Sequence, residues 1–476
     1  MARIWRVLLI TAKWTVGILS VLVLLVVAIN AIDEDLTPEA NALLVAPPNP
    51  YKPEDNLYLA LLGIEAPQGV SPIAAGQARI AAYEKERAAA SKDPRYEFQD
   101  PLGKKGDKVA FQGKVEFCRP LQKSCVADVE KHKAEIDRLL RANRELHQRY
   151  LSLHRAMGYY ETATPSIYVL IAYPPPPVRQ LYLANIALQT KTGTLLQQKA
   201  ALADLHSDIR TWRLMLTGDG SLISKMIAVA NLHGDYAVLA DIIADRKFDL
   251  NRHSSAVRAI LDLSVQNDWR IGKLFTYEYR FSVFLWEQVR AARGLGVWMS
   301  DHPSRRDQEW WEPYLEKLQY PFLKIDATQN LNASVMLQLQ KMSDVDPKEY
   351  FAARDAYRKW AREKFDLGLH HVYNPIGKSM LAVGADAYEE YPLRAFDAAA
   401  FHRLVRLAFE IRSRRIEGNA IPSFMQQHPQ WATHPVDGRA FIWDVNKHEV
   451  AVHPLANQPK DRRFGVSVLT AGSENR

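Results

Sequence analysis

The chain has 476 residues, 47% of them hydrophobic and 24% charged, and a formal net charge of +7. These are globular proportions; they exclude wholesale disorder and leave room for a sizeable core in two or three domains at about 100–200 residues each. The positive charge is spread rather than gathered: the cluster Arg412, Arg414 and Arg415 falls late in an expected helix, where cations suit the helix dipole, so no nucleic acid partner is expected.

The first thirty-two residues point to a membrane. Arg3, Arg6 and Lys13 precede an uncharged stretch from residue 14 to 32, and Asp33, Glu34 and Asp35 follow it at once. As a helix that stretch would span about 28 Å at 1.5 Å per residue, close to the thickness of a bilayer core. Basic residues before it and acidic residues after it predict a single-pass anchor with a cytoplasmic N-terminus and the body outside. The rival reading is a cleaved signal peptide ending near Val26-Val27-Ala28, but the apolar run exceeds the usual 7–15 residues of a signal core.

Residues 33–53 carry Pro47, Pro48, Pro50 and Pro53 and read as an extended, semi-rigid linker. Residues 54–173 form an expected N-terminal helical lobe. It holds short helices at 56–62 and 73–91, a turn-rich loop over 92–113, and a long helix over 127–157. Cys118 and Cys125 are the only cysteines. In an oxidising compartment they are expected to form a local disulfide; a metal would need further ligands, and the redox-active C-x-x-C spacing is absent.

No helix passes through Pro174 to Pro177, which marks the boundary to a main helical lobe over 174–418. Helices are expected there at 179–191, 194–216, 222–232, 236–245, 256–265, 274–293, 334–342, 347–365 and 397–417. In the second of these Leu195, Leu202, Ile209 and Leu216 recur every seven residues, with Leu205 and Trp212 between them, giving one apolar seam. Asn374-Pro375 reads as an N-cap followed by proline at the first helical position. Residues 419–476 form a tail in which 440–444 and 449–453 are expected to pair as a small β-hairpin, with the last twenty residues loosely ordered. The fold class is therefore mainly α, an irregular body of paired helices.

Catalytic signatures fail one by one. Gly377-Lys378-Ser379 resembles the end of a phosphate-binding loop, but Val372 stands where a glycine is required. Ser221 and Lys225 miss the Ser-x-x-Lys spacing by one residue. His370 and His371 diverge on a helix; His147 and His154 share a face but lack a third zinc ligand, so no cofactor or metal is expected. Carboxylate chemistry stays open: Glu309 and Glu312 flank Trp310-Trp311, a set in which aromatics could stack on a sugar while a carboxylate acts as acid. The bland alternative is an amphipathic helix start with the tryptophans turned inward. Glu278, in Tyr277-Glu278-Tyr279-Arg280, is a further candidate, expected to pair with a nearby arginine.

Three places in the sequence resemble a group of uncharacterised proteobacterial proteins with an N-terminal anchor and a helical periplasmic body. They are Phe111, Gly113, Cys118 and Cys125; the run from Leu222 to Ala228; and the run from Asn374 to Lys378 followed by Gly438, Trp443 and Asp444. The resemblance implies a bacterial inner-membrane location and carries no activity or site residue. The leading expectation is a non-enzymatic, membrane-anchored interaction or scaffold protein with a protein partner. A periplasmic cell-wall hydrolase using Glu309 or Glu312, and a helical binding protein for a small apolar ligand, are the alternatives.

Overall fold

A computed structural model of the chain describes residues 2–92, 96–99, 108–120, 122, 124–263, 269–292, 319–366, 368, 372–456 and 463–468. Glu309, Trp310, Trp311, Glu312, His370 and His371 lie outside the described residues.

The first helix runs Ala2–Ile29. Its Ile10–Ile29 stretch has a mean hydropathy of 2.3 and is not buried by the rest of the chain, so it is long and apolar enough to cross a membrane. The helix stops three residues earlier than expected because Asn30 turns into the body. Its side-chain amide donates to Val26 O and Val372 O at 2.9 Å, and its Oδ1 accepts the Asn374 N–H at 2.8 Å. Leu222–Ala244 also has the length and hydropathy of a membrane span, but it is packed on several sides as a core helix.

The segment after the anchor is not an extended spacer throughout. Asp33 accepts the N–H groups of Asp326 and Ala327 at 3.1 Å each. It thereby serves the open N-terminus of helix Ile325–Asp344, whose preceding residue supplies no side-chain cap. Asn330 on that helix accepts from Thr37 N–H and donates to Asp35 O. Thr37 caps a short helix, Pro38–Leu44, that buries Ala40 and Leu43. The acidic residues that signalled membrane orientation therefore also join the anchor to the body.

The body is built from paired helices. Pro176–Thr192 packs on Leu195–Thr217, which packs on Leu222–Ala244, which in turn packs on Tyr391–Ser413. Thr194 and Gln197 form a reciprocal capping box that starts the second of these. The heptad seam is mostly confirmed: Leu202, Leu205, Ile209, Trp212 and Leu216 are buried, while Leu195 at the first turn is exposed. One hydrophobic cluster extends from Ala40 to Val468, and a small satellite of Trp286, Val289, Leu323 and Ile325 lies apart from it.

Several helix boundaries differ from expectation: the helices expected at 334–342, 256–265 and 397–417 are Ile325–Asp344, Leu250–Leu261 and Tyr391–Ser413, and the breaks differ in two places. Residues 127–157 are not one helix but Cys125–Asp128, Lys133–Ala142 and Arg144–Ser152. Asn143 sits at the second break with φ −111° and ψ 28°; its side chain exchanges hydrogen bonds with the backbone of Gln112 at 2.7 and 2.9 Å, while its N–H still donates to Leu139 O. Conversely, 222–232 and 236–245 are one helix, Leu222–Ala244. A mid-helix glycine costs about 1 kcal/mol, and burial of Leu232, Tyr236, Val238 and Leu239 outweighs it. Gly234 also leaves room for a guanidinium, since a Cβ there would stand 3.3 Å from Arg179.

The expected hairpin is part of a three-stranded antiparallel sheet, β1 (Ile442–Asp444), β2 (Glu449–Val452) and β3 (Phe464–Ser467), in the order β1-β2-β3. Trp443 faces Val450 and Val450 faces Val466. The third strand comes from the tail expected to be loosely ordered. Val450, Ala451 and Val452 are all buried, which fits a central strand with partners on both edges. Asp397 accepts the N–H groups of Leu455 and Ala456 at 2.7 and 2.9 Å, tying the sheet to helix Tyr391–Ser413.

Candidate functional site

Three of the sequence-flagged residues, Ser221, Lys225 and Glu278, meet at the N-terminus of helix Leu222–Ala244. Ser221 caps it by accepting the Ser224 N–H. Glu161 Oε1 accepts the Ser221 N–H at 3.1 Å, Ser221 Oγ at 3.0 Å, the Tyr159 hydroxyl at 2.8 Å, and Ser224 Oγ. Glu278 also points at this terminus: Oε1 accepts the Leu222 N–H at 2.8 Å. Its partner is thus a backbone amide rather than the expected arginine. Two carboxyl groups suit the positive end of a helix dipole.

Burial pushes the Glu278 carboxyl up to about 7, against the opposing pull of the Leu222 N–H, with Glu161 raising it further. Lys225, 1% exposed, sends its Nζ to Met215 O at 2.8 Å and to Gly218 O. Burial lowers its ammonium to about 8, while Glu161 and Asp219 hold it up. Burial likewise raises the Tyr58, Tyr159 and Tyr277 phenols well above their ordinary value. Both serine hydroxyls donate to the same Glu161 oxygen, and Lys225 is spent on carbonyls. These groups hold four segments together around one helix end.

A second polar knot sits deeper between the helices. The Arg179 guanidinium donates to Asp235 and stands 3.9 Å from Asp208. Asp208 also accepts the Tyr150 hydroxyl at 2.9 Å and lies 3.3 Å from His154 Nε2. Burial raises Asp235 well above the carboxylate range and the nearby Asp208 adds to this, opposed by Arg179. His147 and His154, the pair sharing a helix face, both pack against Tyr182, and burial lowers His147. Among the described residues no group of three His, Cys, Asp or Glu side chains could hold a metal ion. Cys118 and Cys125 are joined in a disulfide.

The surface is more open beside residues 169–175, which run without helix, turn or bend into the prolines. Burial alternates along it: Leu170 (7%) and Ala172 (0%) face the core, while Ile171 (38%) and Tyr173 (48%) face outward. Two cavities of about 560 and 570 Å³ share Ile171, Tyr173 and Pro176 as walls, so the segment forms a ridge between them. The first is otherwise lined by Leu183, Ile223 and Ile227 with Arg119 and Arg179 at its border. A smaller concavity of about 240 Å³ holds His402, Arg403, Arg406 and Trp431. Its arginines are engaged: Arg403 donates to Thr433 O at 3.3 Å, and Arg406 pairs with Asp262 and Glu410.

The ridge escaped the sequence reading, which stopped at the prolines. Its signal was the run Ile167-Tyr168-Val169-Leu170-Ile171-Ala172-Tyr173, β-prone residues directly before a helix breaker. No family model, curated protein or solved structure matches this chain. The chain is thus a mainly α-helical body bearing a helix able to span a membrane, and its fold and site stand on their own geometry.

Proposed function

We propose that this is a membrane-anchored interaction protein that holds a protein partner close to the bilayer. The basic-before, acidic-after pattern favours a cytoplasmic N-terminus and a body on the periplasmic side of a bacterial inner membrane. The Cys118–Cys125 disulfide supports an oxidising compartment. The observation that carries the reading is the clamp of Asn30 and Asp33 onto Asn374 and helix Ile325–Asp344. A loose tether would suffice for an enzyme acting on diffusing substrate; a fixed joint sets the orientation of the body's surface relative to the membrane. The buried carboxyl groups of Glu161 and Glu278 are committed to a helix end. A second reading, a binding protein for a small apolar ligand, is favoured by the apolar lining of the Ile223–Leu183 cavity.

The test is to cross-link intact cells, purify the tagged full-length chain from solubilised membranes and identify what accompanies it. A protein recovered in stoichiometric amount, and recovering this chain when it is itself tagged, is the expected result. Isolation of the chain alone with several cross-linkers would overturn the reading.

A further inference from the structure

Every backbone N–H and C=O needs a partner, and an extended segment finds its partners in another strand. Among the described residues, residues 169–173 have no hydrogen bond from any of their N–H or C=O groups. The segment has strand-like side-chain alternation and β-prone residues, yet it pairs with nothing. An apolar edge of this kind is what folded proteins normally cover, break with charge or shorten. Here a hollow flanks it on each side, so room for a further strand is already present.

Resting on the interaction reading above, we propose that residues 169–173 receive an extended peptide segment of the partner, which adds as a strand along this edge. The recognising chemistry has three parts. Unpaired main-chain groups of the exposed residues Ile171 and Tyr173, alternate positions of a strand edge, bind the peptide main chain along the about 17 Å that five residues span at roughly 3.3 Å each. Ile223 and Ile227 receive apolar side chains at alternate positions. Arg119, exposed and with no partner for its guanidinium among the described residues, meets an acidic side chain of the peptide. An acyl-chain amphiphile would use the apolar wall and the arginine but would leave the main-chain groups of residues 169–173 unpaired, so the peptide is favoured.

The experiment selects a displayed library of random dodecapeptides on the full-length chain in detergent and measures a synthetic copy of the best binder by fluorescence anisotropy. Selected sequences are expected to alternate apolar and polar residues with an acidic residue near one end. N-methylation of alternate peptide amides is expected to weaken binding about tenfold or more in one of the two phases. Ile171→Pro, which removes one N–H of the ridge, should weaken it about as much, while Ile171→Ala, which keeps that N–H, should retain most of it. Circular dichroism confirms that both variants fold; should Ile171→Pro fail to fold, the N-methylated peptides decide alone. Equal binding by both N-methylated phases would overturn the proposal. So would competition by a fatty acid with no selectable peptide. A stoichiometric cellular partner whose cross-links avoid residues 171 and 173 would sink strand addition but leave the interaction reading standing.

Discussion

Glu278 offers a direct quantitative test of how the core is held. Its carboxyl is fully buried and lifted from 4.5 to about 7, with burial the main cause. In the unfolded chain it ionises near its ordinary value. Between about 4.5 and 7 the folded state therefore keeps a proton that the unfolded state has released, and stability falls as pH rises through that window. The shift corresponds to ~3 kcal/mol of stability present at pH 4.5 and below and lost above pH 7. Glu278→Gln keeps an oxygen for the Leu222 N–H but carries no charge at any pH. The variant should match the parent near pH 4.5 and exceed it at pH 8 by up to ~3 kcal/mol. Urea unfolding followed by tryptophan fluorescence at both pH values reads this as a gap in midpoint that opens with pH. Parallel pH profiles for the two chains, or a variant weaker at pH 8, would refute the assignment of Glu278 as a buried, strained acid.

Other substitutions probe other joints. Asp33→Ala removes the acceptor at the N-terminus of helix Ile325–Asp344 and should cost about 1 kcal/mol in urea unfolding, as loss of a helix cap does; an unchanged midpoint would deny that Asp33 caps the helix. Arg179→Leu leaves Asp208 and Asp235 buried without their cation and should cost ~3 kcal/mol or more in urea unfolding at pH 7; an unchanged midpoint would deny that the cation holds this knot. Reducing Cys118–Cys125 should lower stability by about 2–3 kcal/mol, the value for closing so short a loop, and thiol titration of the denatured chain should find no free thiol until reductant is added. Gly76→Ala should destabilise the chain by about 1–3 kcal/mol through overpacking, because the new Cβ would lie 2.2 Å from Leu59 O.

The parts of the fold that were legible are those set by local chemistry. The apolar run, the cap at Asn374 and the seam through Trp212 depend on residues within a turn or two of each other. What was not legible depends on distant partners. The break at Asn143 falls where its side chain bonds the distant Gln112, and continuity through Gly234 exists because its neighbours bury that turn. The third strand, Phe464–Ser467, was hidden because its register is set only by pairing with β2. Within the candidate sites, Glu278 was visible as a residue but not its role, since its partner Leu222 lies 56 positions away. Glu161 drew no notice, because nothing near it in sequence announces the two serines it accepts from.

If the membrane-tied body engages a protein partner through the ridge, position 173 lies against that partner in cells. A photo-cross-linking amino acid placed at Tyr173 in the full-length chain in cells tests it most directly, with Leu196, 78% exposed and remote in sequence, as the control position. The expected result is one discrete light-dependent adduct from position 173, absent from position 196, whose cross-linked peptide is a segment with alternating apolar residues. No adduct from position 173, or the same adducts from both positions, would contradict it.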